Sequence, residues 1–392
     1  MSQEATPSEG TGKPLFFGGL TELRAIAAAA VVVSHIEYLR KSWGLHSSHD
    51  LAPVANLGTH GVTLFFCLSG FLITSLLSVE QARTGRIDIR RFYLRRALRI
   101  WPLYYLTLAI GLWIAPTLLP HDGFRVAAKL LHTDYPWLLA FMLPNVAITQ
   151  SGSILGLSVL WSVGVEEQFY AVWPWVVRHC RRMLAALVTA LLLLAPIARE
   201  YLATSFPPEQ TSDENLRPML ALARLFPVES LAAGALLALI IHRGKLWSRA
   251  GATIVAAGVT LLSLLWLWFA EPYHPLFHLG SALLWSALLA VVVSRGALRG
   301  SAGALLQRVG EVSYGVYLYH TFVIAAVLLL LRRTGLHDGL LHHVATYLLV
   351  FGATFALSSG SYRWFETPFL QLKERFAVVA SSARSKTPSP RG

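Results

Sequence analysis

The chain has 392 residues, of which 55% are hydrophobic and 14% charged, with a mean hydropathy of +0.53 and a formal net charge of +12. Soluble globular chains carry about 25% charged residues, so the composition excludes an ordinary soluble enzyme and points to an integral membrane protein. The arginines cluster between apolar runs, a cytoplasmic-loop pattern rather than a nucleic-acid surface, and Cys67 and Cys180 offer neither a metal spacing nor a disulfide framework.

In chain order, residues 1–14 read as a polar, disordered cytoplasmic tail with no cleavable signal peptide. Spanning about 30 Å of hydrocarbon takes about 20 apolar residues. Such runs lie near 18–38, 60–79, 100–119, 160–178, 183–199, 219–241, 251–270, 276–294, 312–331 and 344–362. The fold class is therefore all-α: a polytopic membrane bundle of about ten helices, one domain over 15–370. The apolar stretch near 137–149 is only half a span and is bracketed by Pro136 and Pro144. Its length suits a re-entrant or interfacial segment. Residues 371–392 read as a second cytoplasmic tail, largely disordered.

Orientation follows from the basic loops. With both termini cytoplasmic, segments 80–99, 178–182, 242–249 and 295–308 fall inside with most of the arginines. The loop near 200–217, holding Glu200, Glu209, Asp213 and Glu214, falls outside. Arg332 and Arg333 run against this assignment.

Arg24 and His35 lie on the first apolar run, eleven positions apart. Eleven steps of about 100° make about three turns, so both face the same way, about 16 Å apart along the axis. Ionisable groups inside a membrane helix face a cavity or a partner. His35 is a base for neutral pH, or a nucleophile that can carry an acyl group. Arg24 is a donor-binding group or half of an ion pair with Glu22 or Glu311.

Further along, Arg91, Arg95 and Arg99 share one helix face by i, i+4, i+8 spacing, with Arg96 beside them. Guanidinium groups bind phosphate bidentately, and the same residues also serve the positive-inside signal and contact with anionic lipid. Glu166 and Glu167 open the helix expected to descend from the outer side. Neighbours in a helix point about 100° apart, so they cannot line one cavity equally. Glu167 is taken as a catalytic candidate and Glu166 as an acceptor contact. Trp161 offers a sugar-stacking platform or an interfacial anchor. His320, on a helix with Tyr314, Tyr317 and Tyr319, is another inward-facing candidate for acceptor contact, as is Tyr314. Ser69 and Gly70 read as close-packing small residues, and Glu366 as a salt-bridge partner for the arginines of 91–99.

Several blocks then stand in order: Leu23-Arg-Ala-Ile-Ala-Ala through His35; Gly61-Val-Thr-Leu-Phe-Phe-Cys-Leu-Ser-Gly-Phe-Leu-Ile-Thr74; Arg91 through Tyr105; Leu160-Trp-Ser-Val-Gly-Val-Glu-Glu-Gln-Phe-Tyr170; Ser313-Tyr-Gly-Val-Tyr-Leu-Tyr-His320; and Ser361-Tyr-Arg-Trp-Phe-Glu-Thr-Pro368. Together, from about Leu15 to Leu370, they resemble the acyltransferase-3 family of bacterial integral-membrane O-acyltransferases. The resemblance implies a ten-helix bundle in the bacterial plasma (inner) membrane. It implies transfer of an acyl group, usually acetyl from acetyl-CoA, to a hydroxyl of a glycan, glycolipid or macrolide-type metabolite. Acyl-CoA is then a donor substrate held by Arg91, Arg95, Arg96 and Arg99, with no resident cofactor or metal. The family's arginine–histidine spacing falls on Arg24 and His35. Where the family often has Asp, this chain has Thr63. Some relatives add an extracytoplasmic esterase-like domain, for which this chain is expected to be too short. The rival reading is an exporter of a glycolipid or small metabolite, which also uses intramembrane charge.

Overall fold

The computed structural model describes residues 17–118, 136–151, 155–205, 227–242, 258–259, 261, 277–298 and 300–377. The expected span at 251–270 lies almost wholly outside them, as do both chain ends and most of the 200–217 loop. Of the other nine expected spans, eight coincide with a helix, and the ninth, 219–241, does so over its described part from Val228 on.

Helix α1 (Leu20–Ser42) follows Gly19, whose φ of 88° is a left-handed turn that a side chain would strain. Helix α2 (Ala52–Thr84) begins with Pro53 in its first turn and stops at Gly85, also left-handed. Asp88 then caps α3 (Ile89–Ala109), accepting from the Arg91 N–H at 2.9 Å. A π-turn at Ile110–Ile114 carries α3 on to Leu118. Next come the short α4 (Pro136–Ala140) and α5 (Pro144–Ser151), then α6 (Leu160–His179), α7 (Leu184–Ser205), α8 (Val228–His242) and α9 (Phe277–Arg295). Helices α10 (Ser301–Glu311), α11 (Ser313–Arg333) and α12 (Leu340–Ser361) follow. After a second π-turn at Tyr362–Glu366, α13 (Thr367–Glu374) extends the ordered chain past the expected limit at 370.

Among the described residues, six helical stretches are long and apolar enough to cross a membrane: α2, α3 through Leu118, Leu184–Leu202 of α7, α9, α11, and α12 through α13. Helices α1 and α6, of 23 and 20 residues, have the length but carry the ionisable groups of the site. Helices α4 and α5, of five and eight residues, rise only about 8 and 12 Å at 1.5 Å per residue. Met142, at φ 59°, turns the chain between them. Asn145 and Gln168 exchange amide hydrogen bonds of 2.8 and 3.3 Å, docking this half-span pair on α6.

The centre is built by α2, which packs on α1 and α8. Gly70 lets the backbones of α2 and α8 touch: an added Cβ would strike the Leu231 carbonyl. Gly234 does the same from the other side against the Cys67 carbonyl. Without a hydrophobic drive between helices in lipid, such backbone contact is the main source of attraction. A buried pair, Arg199–Glu229, adds two hydrogen bonds of 2.7 and 2.8 Å between α7 and α8.

At the far end of α1, the fully buried Arg40 uses four of its five N–H groups. It donates to Asp338 Oδ1 at 2.9 Å, His342 Nδ1 at 2.9 Å, Thr346 Oγ1 at 3.1 Å and the His46 carbonyl at 3.0 Å. This clamps α1 to the α11–α12 loop and to α12. Burial works against charge on Asp338, but the His46 N–H and the Arg40 guanidinium hold its carboxyl below the ordinary carboxylate range. A carboxylate held low stabilises the fold fully above its unfolded pKa of about 4, and that contribution is lost as pH falls through the folded value.

Two outcomes follow. Gly70→Leu should cost at least about 1–3 kcal/mol by overpacking, read as a lower Tm and loss of monodispersity in detergent. Asp338→Asn should lower Tm at pH 7 and flatten the fall of Tm expected for the parent protein as pH drops below about 4. An unchanged acid profile would discount the clamp.

Candidate active site

Two cavities meet inside the bundle. The first, of about 100 Å³, is lined by Arg24 from α1, Ser69 from α2, Arg96 and Arg99 from α3, Glu166 and Tyr170 from α6, and Tyr314 from α11. The second, of about 400 Å³, is lined by Ser34, His35 and Tyr38 from α1, by His49, Thr59 and Thr63, by Ser158 and Trp161, and by His278. Val62 and Tyr317 belong to both linings and form the wall between them. The Tyr317 and Ser162 hydroxyls, 2.7 Å apart, stiffen that wall. Arg24 and His35 thus line separate chambers along one helix, where the spacing predicts one shared path.

His35 is held by a second imidazole. Its Nδ1 lies 3.0 Å from the Val31 carbonyl and 3.2 Å from His320 Nε2. His320 Nδ1 lies 2.7 Å from the Tyr317 carbonyl. Carbonyl oxygens only accept, so both Nδ1 atoms carry hydrogen when the rings are neutral. His320 Nε2 is then an acceptor facing the His35 Nδ1–H. The lone pair of His35 falls on Nε2, the atom a base or nucleophile needs. His320 is fully buried and lines neither cavity. Where the sequence suggested an acceptor contact, its ring lies against His35 instead.

The arginines divide. Arg91 pairs with Asp88 at 3.4 Å, and Arg95 with Glu80 at 3.1 Å while also donating to the Phe376 carbonyl at 2.9 Å. Neither lines the cavity that Arg96 and Arg99 reach. The shared helix face is real, but neighbouring elements claim two of its members. Arg96 lies over the Phe92 and Tyr170 rings, 5.8 and 5.6 Å from their centroids. Arg24 forms no ion pair with Glu22, which accepts from the Leu298 N–H and Gln307 Nε2 at 3.2 Å each. Glu366 accepts from Ser361 at 3.4 Å and makes no ion pair with the arginines.

The carboxylates are also relocated. Glu166 accepts from Ser69 at 2.7 Å and Tyr170 at 3.2 Å, inside the arginine cavity rather than on the acceptor side. Glu167 turns away to accept from Trp101 Nε1 at 3.1 Å and lines neither cavity. Tyr314 donates to the Ile100 carbonyl at 3.0 Å, again on the arginine side. Trp161 alone of the expected acceptor contacts joins His35, edge-on to Phe66. Ser158, His49 and His278 escaped the sequence reading, and Ser69, expected only to pack closely, lines the arginine cavity. His278 opens an apolar run, and its position as an ionisable group there is the signal that could have found it. Its Nδ1 is buried without a partner among the described residues.

A family profile described as an acyltransferase domain matches residues 18–363. The chain belongs to this acyltransferase family, as a multi-pass membrane protein. It is 27% identical to the peptidoglycan O-acetyltransferase OatA of Listeria monocytogenes, over 88% of this chain and 54% of that protein. It is 28% identical to the putative peptidoglycan O-acetyltransferase YrhL of Bacillus subtilis, over 79% of this chain and 49% of that one. Against the O-acetyltransferase OatA of Staphylococcus aureus the identity is 32%, over 42% and 25%. The chain spans about half the length of the first two relatives. No solved structure matches it.

The two-chamber geometry is checked by cysteine labelling in a Cys67→Ala, Cys180→Ala background. Thr59→Cys and Leu72→Cys should each react with a membrane-impermeant maleimide from one face of sealed vesicles, and from opposite faces. Reaction of both from the same face would refute it.

Proposed function

We propose that the protein is a membrane O-acetyltransferase taking an acyl group from cytoplasmic acyl-CoA and delivering it to a hydroxyl of a cell-envelope glycan. The observation that carries this is a histidine with a free Nε2 lone pair in an uncharged, polar chamber that only the Val62–Tyr317 wall separates from a cationic one. The basic loops orient the cationic side to the cytoplasm, in the bacterial inner membrane.

Each chamber fits one substrate. Phosphate groups suit Arg96 and Arg99, and Arg24 lies deeper, toward the thioester. Glu166, held by Ser69 and Tyr170, offsets part of that positive charge. On the other side, the described lining contains imidazole, hydroxyl and indole groups but no carboxylate, lysine or arginine. That chemistry suits an uncharged sugar stacked on Trp161, in keeping with the peptidoglycan named for two relatives.

His35 Nε2 takes the proton of the acceptor hydroxyl as its oxygen attacks the thioester carbonyl carbon. The C–S bond breaks, and the thiolate leaves with the proton from His35. A two-step route, in which Nε2 is first acylated and the hydroxyl then attacks, uses the same atoms. The Val31 carbonyl and His320 together keep the ring in the tautomer both routes need. A partner that fixes an imidazole's tautomer is worth orders of magnitude where it has been tested.

In purified, folded protein, His35→Ala should abolish acceptor-dependent release of free CoA thiol, by on the order of 10²–10⁴-fold. Arg24→Ala should raise KM for the donor. His320→Ala should depress kcat at constant KM and change its pH profile. Undiminished thiol release in both His35→Ala and Arg24→Ala would remove the site. Substrate movement without thiol release would favour an exporter.

A further inference from the structure

Four cations converge at one end of the bundle without an ion pair. Among the described residues, no carboxylate pairs with Arg24, Arg96, Arg99 or Lys373, whereas Arg91 and Arg95 are both paired. Lys373 belongs to α13, the short helix past the second π-turn, and its ammonium lies within electrostatic reach of Arg99, Arg96 and Arg24. Like charges repel, and Glu166, the one carboxylate lining this cavity, offsets only part of the four positive charges, so the site suits an anion.

The placement of Lys373 is built into the fold. Helix α13 packs on α3. Arg95 supplies the tie: one side of its guanidinium is fixed by Glu80 at 3.1 Å, and the other donates to the Phe376 carbonyl at 2.9 Å, three residues past Lys373. Arg95 thereby holds the C-terminal segment against the arginine cavity. The cavity itself, at about 100 Å³, is well below the 300–1,000 Å³ of ordinary small-molecule sites. It admits a slender chain, and a nucleotide must stay at its mouth. Lys373 does not line the interior, which leaves it free to act at that mouth.

We infer that Lys373, positioned by the Arg95–Phe376 contact, is a binding residue for the phosphates of a nucleotide-bearing acyl donor, so that α13 is part of the donor site. This rests on the acyltransferase reading above. Lys373 contributes to binding only, and Arg95 acts through it as a positioning residue.

The test compares Lys373→Gln with the parent protein in nanodiscs. With acetyl-CoA as donor, KM should rise about tenfold at unchanged kcat. With S-acetyl-pantetheine, which lacks every phosphate, KM should not change. Lys373→Arg should restore the acetyl-CoA value, and the exposed Arg375→Gln, a control for overall charge, should leave it alone. Arg95→Gln should raise KM for acetyl-CoA in the same direction. Equal effects on both donors, or none on either, would overturn the inference. A direct titration with 3′-phosphoadenosine 5′-diphosphate, the donor's nucleotide half, separates it from the reading beneath. Lys373-dependent nucleotide binding in a protein that transfers no acyl group would sink the acyltransferase reading and leave this site standing. Binding that ignores Lys373 would sink the site alone.

Discussion

The contact between His35 Nδ1 and His320 Nε2 is the interaction on which the rest depends. An imidazole inside hydrocarbon is tolerated only if its polar atoms are matched. Here Val31, His320 and Tyr317 satisfy three of the four ring nitrogens, and that arithmetic leaves His35 Nε2 as the exception. The same hydrogen bonds that make the histidine affordable in the bilayer therefore select its reactive atom. The Val31 carbonyl sets the tautomer of His35, and His320 adds a second acceptor that holds the ring against rotation.

That atom is useful because of where α1 runs. One helix carries Arg24 in one chamber and His35 in the other, and α2 packs along it with Val62 at the wall. The close approach at Gly70 and Gly234 holds α2 against α8, while Arg40 clamps the far end of α1 to the α11–α12 loop. Helix α1 is thus held along its length by contacts that have no chemistry of their own. A reaction that joins substrates from two sides of a membrane needs this rigidity, since the reacting atoms must meet within about 3–3.5 Å.

Much of this was legible in the residues. Apolar length located the helices, and the half-span length of 137–149 marked it as re-entrant or interfacial, though not as two short helices. The eleven-residue spacing placed Arg24 and His35 on one face, and the 100° step between Glu166 and Glu167 meant only one could enter a cavity. What stayed hidden were contacts between elements far apart in sequence. Nothing local to His320 says that its partner lies 285 residues away. The i, i+4, i+8 arginines look equivalent until Asp88, Glu80 and the Phe376 carbonyl divide them. Lys373 looked like part of a tail because α13 is amphipathic and short, and its role depends on the π-turn that brings it back onto α3.

The most direct measurement is a cryo-EM structure with a non-hydrolysable thioether analogue of acetyl-CoA. The expected density has phosphates among Arg96, Arg99 and Lys373, a pantetheine arm passing Arg24, and the acyl carbon near His35 Nε2. An analogue that enters through the chamber of Trp161 and His278, or ends on the arginine side with the Val62–Tyr317 wall closed behind it, would contradict transfer through His35.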